Sequence, residues 1–220
     1  MTQRQKKSSE KIGLAVFFAL YALVFIVRVP RVIFAGEALI WVQIGSYSFL
    51  GLSGAFLFRH TFFMGFEHWR AAPLKSILWL LGAYVGSIVV MQIAALPAYR
   101  MGIEAPQNDA HVLLAIQMLG IPLSILILGL AGPVVEELVY RAFLIEKGTT
   151  PLWICVLLSS AFFALAHLHG LSLVDVVGIL PHFAVALVYG IVYASTGNIT
   201  LSLIIHAMNN TAALILLNNI

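Results

Sequence analysis

The chain has 220 residues, 61% of them hydrophobic and only 10% charged, with a formal net charge of +3. A soluble domain of this length carries about 25% charged residues, and a mean hydropathy of +1.01 leaves more apolar surface than one soluble core can bury. A soluble protein is therefore excluded. The positive charge lies mainly in the N-terminus and in loops between apolar runs, so it reports membrane topology and not nucleic-acid binding.

In chain order, Arg4, Lys6, Lys7 and Lys11 precede an apolar run over residues 12–27. A basic stretch before an apolar run imitates a signal peptide. Here Arg28, Pro30 and Arg31 follow in place of a small-residue cleavage site, so residues 12–29 read as a retained first span. Further spans are expected at 38–58, 76–96, 113–147, 152–169, 171–195 and 199–217, since about 20 apolar residues cross a bilayer. Residues 59–75 and 97–111 are expected as polar loops, the first with interfacial Phe62, Phe63, Phe66 and Trp69. Residues 148–151 are expected as a tight turn, and Gly170 and Gly197 punctuate the last three spans. The 113–147 segment is too long for one straight span, and it contains Gly120, Pro122, Gly129, Gly132 and Pro133. Because proline breaks the helical ladder, its main span is placed at 121–147, with 112–120 an interfacial or re-entrant lead-in.

The expected architecture is thus an all-α polytopic transmembrane bundle of seven to eight spans, a single domain over 1–220, enclosing a polar cavity. With the N-terminus inside, nine Lys and Arg residues fall on inner segments, or eight with Arg141 counted within the membrane, and three on outer ones (Arg28, Arg31 and Arg100). That bias predicts a cytoplasmic N-terminus. The one cysteine, Cys155, excludes an intramolecular disulfide and a cysteine-based metal cage.

Three stretches break the apolar pattern: Glu136-Glu137 with Arg141, Phe163 with His167, and His206 with Asn210. An ionisable side chain at membrane depth costs several kcal/mol and persists when it is paired, lines a water-filled cavity or performs chemistry. From the helical rise, Glu136 lies roughly 18 Å from the 148–151 turn, His167 roughly 24 Å, and His206 and Asn210 roughly 12 and 18 Å from Asn198. Both turns are expected on one side, so the four side chains share a central slab. Glu137 and Arg141 stand at i, i+4 and can pair, which leaves Glu136, about 100° round the helix, for other work.

The order EExxxR, FxxxH, HxxxN on successive late helices resembles the CAAX-protease and bacteriocin-processing family, which includes the type II CAAX prenyl endopeptidases. Residues 113–217 carry the resemblance. It implies a helical bundle around a water-accessible cavity and a glutamate-dependent intramembrane endopeptidase. Glu136 would activate water, His167 would orient it, and His206 and Asn210 would stabilise the oxyanion, with Glu137, Arg141 and Phe163 in support. It further implies a peptide or membrane-protein substrate, no cofactor, and a place in the lipid bilayer of a bacterial plasma membrane.

Competing readings are specific. Two histidines and a glutamate can bind zinc, but HExxH is absent and the ligands would come from three helices. Intramembrane Glu and His also build proton-coupled transporters, although the inverted repeats of that class are not evident. A non-catalytic bacteriocin-immunity or peptide-sequestering protein would keep the scaffold without cleaving. Outside the motifs, Asn209 stands at i+3 from His206, and His182 follows Pro181 where it can line the cavity. His169 and Asp175 are expected at the membrane boundary, and His60, His68 and His111 in loops.

Overall fold

A computed structural model describes residues 3–103, 107–145, 148 and 150–219. Lys147, counted in the charge bias, and Thr149, in the expected tight turn, lie outside them. All regular structure among the described residues is helical. Helix α1, Gln3–Tyr21, runs on into a wider π-helical turn, Ala22–Ile26. A short α2, Pro30–Ile33, leads to α3, Gly36–Leu57. Residues expected as a polar loop instead form α4, Arg59–Ala71, whose Phe63 and Phe66 are exposed. The expected second loop is also shorter, because α5, Pro73–Arg100, continues straight through Pro97 and α6 starts at Gln107.

The long fourth segment is one rod with internal breaks. Helix α6, Gln107–Ser124, kinks at Gly120, where φ is 71° and a Cβ would be strained. This is the boundary expected between lead-in and main span. Two π-helical stretches, Ile125–Ala131 and Leu138–Phe143, flank α7, Gly132–Glu137. Pro133 has no N–H to give to the preceding turn, and the widened register absorbs that gap. Single π turns of this kind recur at functional sites.

Helix α8, Leu152–Ala166, is followed by a loop and by α9, Leu173–Gly178. The expected sixth span is therefore split, and its main part is α10, Leu180–Thr196, started by Pro181. Ser172 and Asp175 form a reciprocal capping box that starts α9, which gives Asp175 a defined partner. Gly197, at φ 65°, ends α10, and Asn198 caps α11, Ile199–Leu217.

Among the described residues, five stretches are long and apolar enough to cross a bilayer: Gly36–Leu57, Pro73–Arg100, Val112–Phe143, Leu173–Thr196 and Ile199–Leu217. Lys11–Ile26 and Leu152–Ala166 are shorter apolar helices. The seven expected spans map onto these seven stretches. The protein is an integral membrane protein, and large exposed apolar side chains such as Leu52, Leu78 and Val85 have lipid as their solvent.

Polar contacts order the bundle. Asn198 donates to the carbonyl of Gly65 at 3.0 Å while its Oδ1 accepts from the N–H groups of Thr200 and Leu201. Thr200 Oγ1 donates to Phe62 O at 2.9 Å. Together they seat α4 on the start of α11. Gly51 lets α3 approach Ala131, whose Cβ would lie 2.6 Å from an added one. This close approach brings Tyr47, one turn away, against Glu136.

Candidate active site

Glu136 and Glu137 close α7, where π-helical turns lie on both sides. Consecutive helical residues point about 100° apart, so each carboxylate meets a different environment. Glu137 is fully buried and heavily bonded. It accepts from Ser202 Oγ at 2.6 Å and from His206 Nδ1 at 2.9 Å, and Arg141 Nε lies 3.5 Å away. The expected i, i+4 ion pair is present with both side chains wholly enclosed. Arg141 also reaches Ser159 Oγ and Ala186 O at 3.5 Å each. Its guanidinium sits 5.4 and 5.6 Å from the ring centres of Phe163 and Tyr189. The motif arginine thus ties its own helix to α8 and α10.

Glu136 does not pair with Arg141. Tyr47 donates to its Oε1 at 3.1 Å, and His206 Nε2 lies 3.4 Å from its Oε2. His206 therefore stands between the two carboxylates with one ring nitrogen towards each. A neutral imidazole has one N–H and an imidazolium two. With Nδ1–H given to Glu137, the contact to Glu136 requires one further proton, on the ring or on the carboxylate. The ring of Tyr189 stacks on His206 with centroids 4.6 Å apart.

His167 follows the last residue of α8, not the interior of a longer helix as expected. Its Nδ1–H donates to Phe163 O at 2.8 Å. In a neutral ring this leaves Nε2 as an acceptor. Phe163 is buried beside both motif histidines, with ring centroids 4.7 Å from His167 and 5.6 Å from His206. Asn210 spends one amide hydrogen on Leu128 O at 3.2 Å. Asn209 spends both, on Ser87 Oγ at 2.8 Å and Tyr189 OH at 2.7 Å, which makes it a brace between α5, α10 and α11.

Glu136, His167, His206 and Asn210 line one cavity of about 620 Å³, as does Phe163. Glu137 and Arg141 lie behind its wall. Helical rise puts these four side chains near one level, and the fold brings them to one space. His182 lines the same cavity and stacks on His167 with centroids 4.4 Å apart. Sequence reasoning missed Tyr47, Tyr189 and Ser202. Each is a polar residue in an apolar span, a signal shared with many side chains that only bond their own helix. Ser46 and Ser48, for example, donate to Val42 O and Ile44 O.

Among the described residues, no three His, Cys, Asp or Glu side chains converge as metal ligands.

Comparison with known families matches residues 118–212 to the Rce1-like model, described as type II CAAX prenyl endopeptidase Rce1-like. Comparison with curated proteins and with solved structures returned no match.

Proposed function

For a chain whose residues 118–212 belong to the Rce1-like type II CAAX prenyl endopeptidase family, we propose a glutamate-dependent intramembrane endopeptidase that needs no metal. At family level the protein is an intramembrane protease. The finer reading rests on one observation: Glu136 is held at the cavity wall between Tyr47 and His206, with no cation committed to it alone.

In this mechanism a peptide carbonyl enters the cavity beside a water. Nε2 of neutral His167 accepts a hydrogen bond from the water and orients it. Glu136 takes the water proton as the oxygen attacks the carbonyl carbon, a C–O bond forms, and the carbonyl electron pair moves onto oxygen. Once Glu136 is protonated, the Nε2–H of His206 loses its anionic acceptor and turns to the oxyanion. Asn210 supplies its remaining amide hydrogen. Donors of this kind act most strongly where water is scarce. The C–N bond then breaks, and Glu136 returns its proton to the departing amine. Glu137 and Arg141 touch no reacting atom and hold His206 in register.

The substrate class is a peptide or a membrane-protein segment that reaches the cavity from the bilayer. The N-terminus is placed in the cytoplasm on the charge bias, and rapid labelling of an N-terminal cysteine by an impermeant reagent on intact cells would overturn that placement. The activity itself is tested by incubating the purified protein in detergent with a peptide library and identifying products by mass spectrometry. Products from wild type and none from Glu136→Gln are expected. Substrate capture without cleavage would favour a sequestering protein instead.

A further inference from the structure

His167 leaves the end of α8 with its flanking carbonyls engaged. Phe163 O accepts from the His167 ring, Ala164 O from the His167 N–H at 3.0 Å, and Leu165 O from the Leu168 N–H at 3.1 Å. The carbonyls on either side of His167, those of Ala166 and Leu168, both accept from one group, Nη2 of Arg28. Arg28 lies in the connection between the first helix and α2, far outside the residues that match the family. Three residues on, Arg31 Nη2 donates to His169 Nδ1 at 3.3 Å. The connection thus grips the 166–169 segment at three points.

Arg28 also holds an unusual backbone. Its φ is 60°, and it is the one non-glycine residue with positive φ among the described residues. An L-residue other than Gly, Asn or Asp rarely stays there, and such strain persists only where surrounding contacts over-determine it. The guanidinium contacts to residues 166 and 168 are those contacts. A cation at a helix C-terminus is also favoured by the helix dipole.

We propose that Arg28 is a positioning residue for His167: its guanidinium clamps the backbone on both sides of that histidine and so sets the direction of the ring into the cavity. This deepens the protease reading and rests on the place of His167 in it. The first span and its connection then complete a site whose motifs all lie in the C-terminal half. Lysine is a partial replacement, because its ammonium can also donate to two carbonyls from one nitrogen but lacks the rigid planar group that sets the direction of those bonds.

A double-mutant cycle with a spectroscopic readout tests the clamp. Arg28→Ala should lower kcat on the order of 10- to 100-fold, as expected of a misplaced catalytic group, with little change in KM. Arg28→Lys should recover part of the loss. In a His167→Ala background, Arg28→Ala should cost nothing further, because residues acting as one unit are non-additive. The ring resonances of His167 in ¹⁵N-histidine-labelled protein should shift in Arg28→Ala and less in Arg28→Lys, with no substrate present. An unchanged kcat and unchanged His167 resonances would overturn the clamp, and so would an equal loss in both backgrounds. If Arg28→Ala does not fold, Arg28→Lys carries the same comparisons. If wild type cleaves nothing but the His167 resonances still move, the clamp stands and the protease reading falls.

Discussion

The imidazole of His206 faces the carboxylate of Glu136 across 3.4 Å, while its other nitrogen is bonded to the neighbouring Glu137. Two adjacent acids thereby face different nitrogens of one ring. Glu137 is satisfied by Ser202, His206 and Arg141, and Glu136 keeps a place at the cavity wall. Glutamine at 136 keeps the shape and the Tyr47 contact but cannot accept the water proton. Glu136→Gln should abolish cleavage with thermal stability close to wild type. Residual cleavage at the wild-type rate by a folded variant would remove Glu136 from the role of base.

Tyr47 donates its hydroxyl to Glu136. That bond fixes the direction of the carboxylate, and a misplaced catalytic group costs up to about 10² in rate, so Tyr47→Phe should reduce kcat about 10- to 100-fold. Steady-state kinetics on a single peptide identified as a product-giving substrate measures this. A wild-type kcat in the phenylalanine variant would show that the hydroxyl neither orients nor stabilises the carboxylate.

Arg141 is enclosed with Glu137 at 3.5 Å. Removing one partner of a buried pair costs about 3 to 5 kcal/mol, because the other charge is left uncompensated. Both Arg141→Ala and Arg141→Met should therefore lose stability in a thermal-shift assay in detergent. Methionine restores bulk against Phe163 and Tyr189, so it should recover the packing share only. Full recovery by methionine would mean that the charge contributes nothing to the fold.

The α4–α11 junction offers a test away from the chemistry. A Cβ on Gly65 would meet Thr200 Oγ1 and Asn198 Oδ1, well inside van der Waals contact. Gly65→Ala should push α4 off the Asn198 cap and destabilise the protein by about 1 to 3 kcal/mol, the usual range for overpacking. Thermal-shift measurement of this variant beside Gly82→Ala, where an added Cβ meets nothing within 4 Å, isolates the effect. Equal melting temperatures for the two would contradict the junction.

Metal independence has its own test. Prolonged chelation should leave cleavage intact, and elemental analysis of the purified protein should find no stoichiometric zinc. Activity lost to chelator and restored by added zinc would replace the proposed mechanism with a metal-assisted one.

The amino-acid sequence by itself determined the membrane class, the apolar segments and the pairing of Glu137 with Arg141. Each depends on local hydropathy or on i, i+4 spacing within one helix, which the chain carries without reference to its neighbours. It also placed Glu136, His167, His206 and Asn210 at one depth, because helical rise converts residue number into distance. Helix α4 was hidden, since polar residues with scattered aromatics give an interfacial helix and a loop the same composition. Only the tertiary structure decided that His206 serves both glutamates, that Tyr47 reaches Glu136 from α3, and that Arg28 grips the backbone around His167. Those contacts join residues 69 to 140 positions apart, or more narrowly depend on which face each helix turns inward. Interhelical packing sets that choice, and no periodicity along the chain records it.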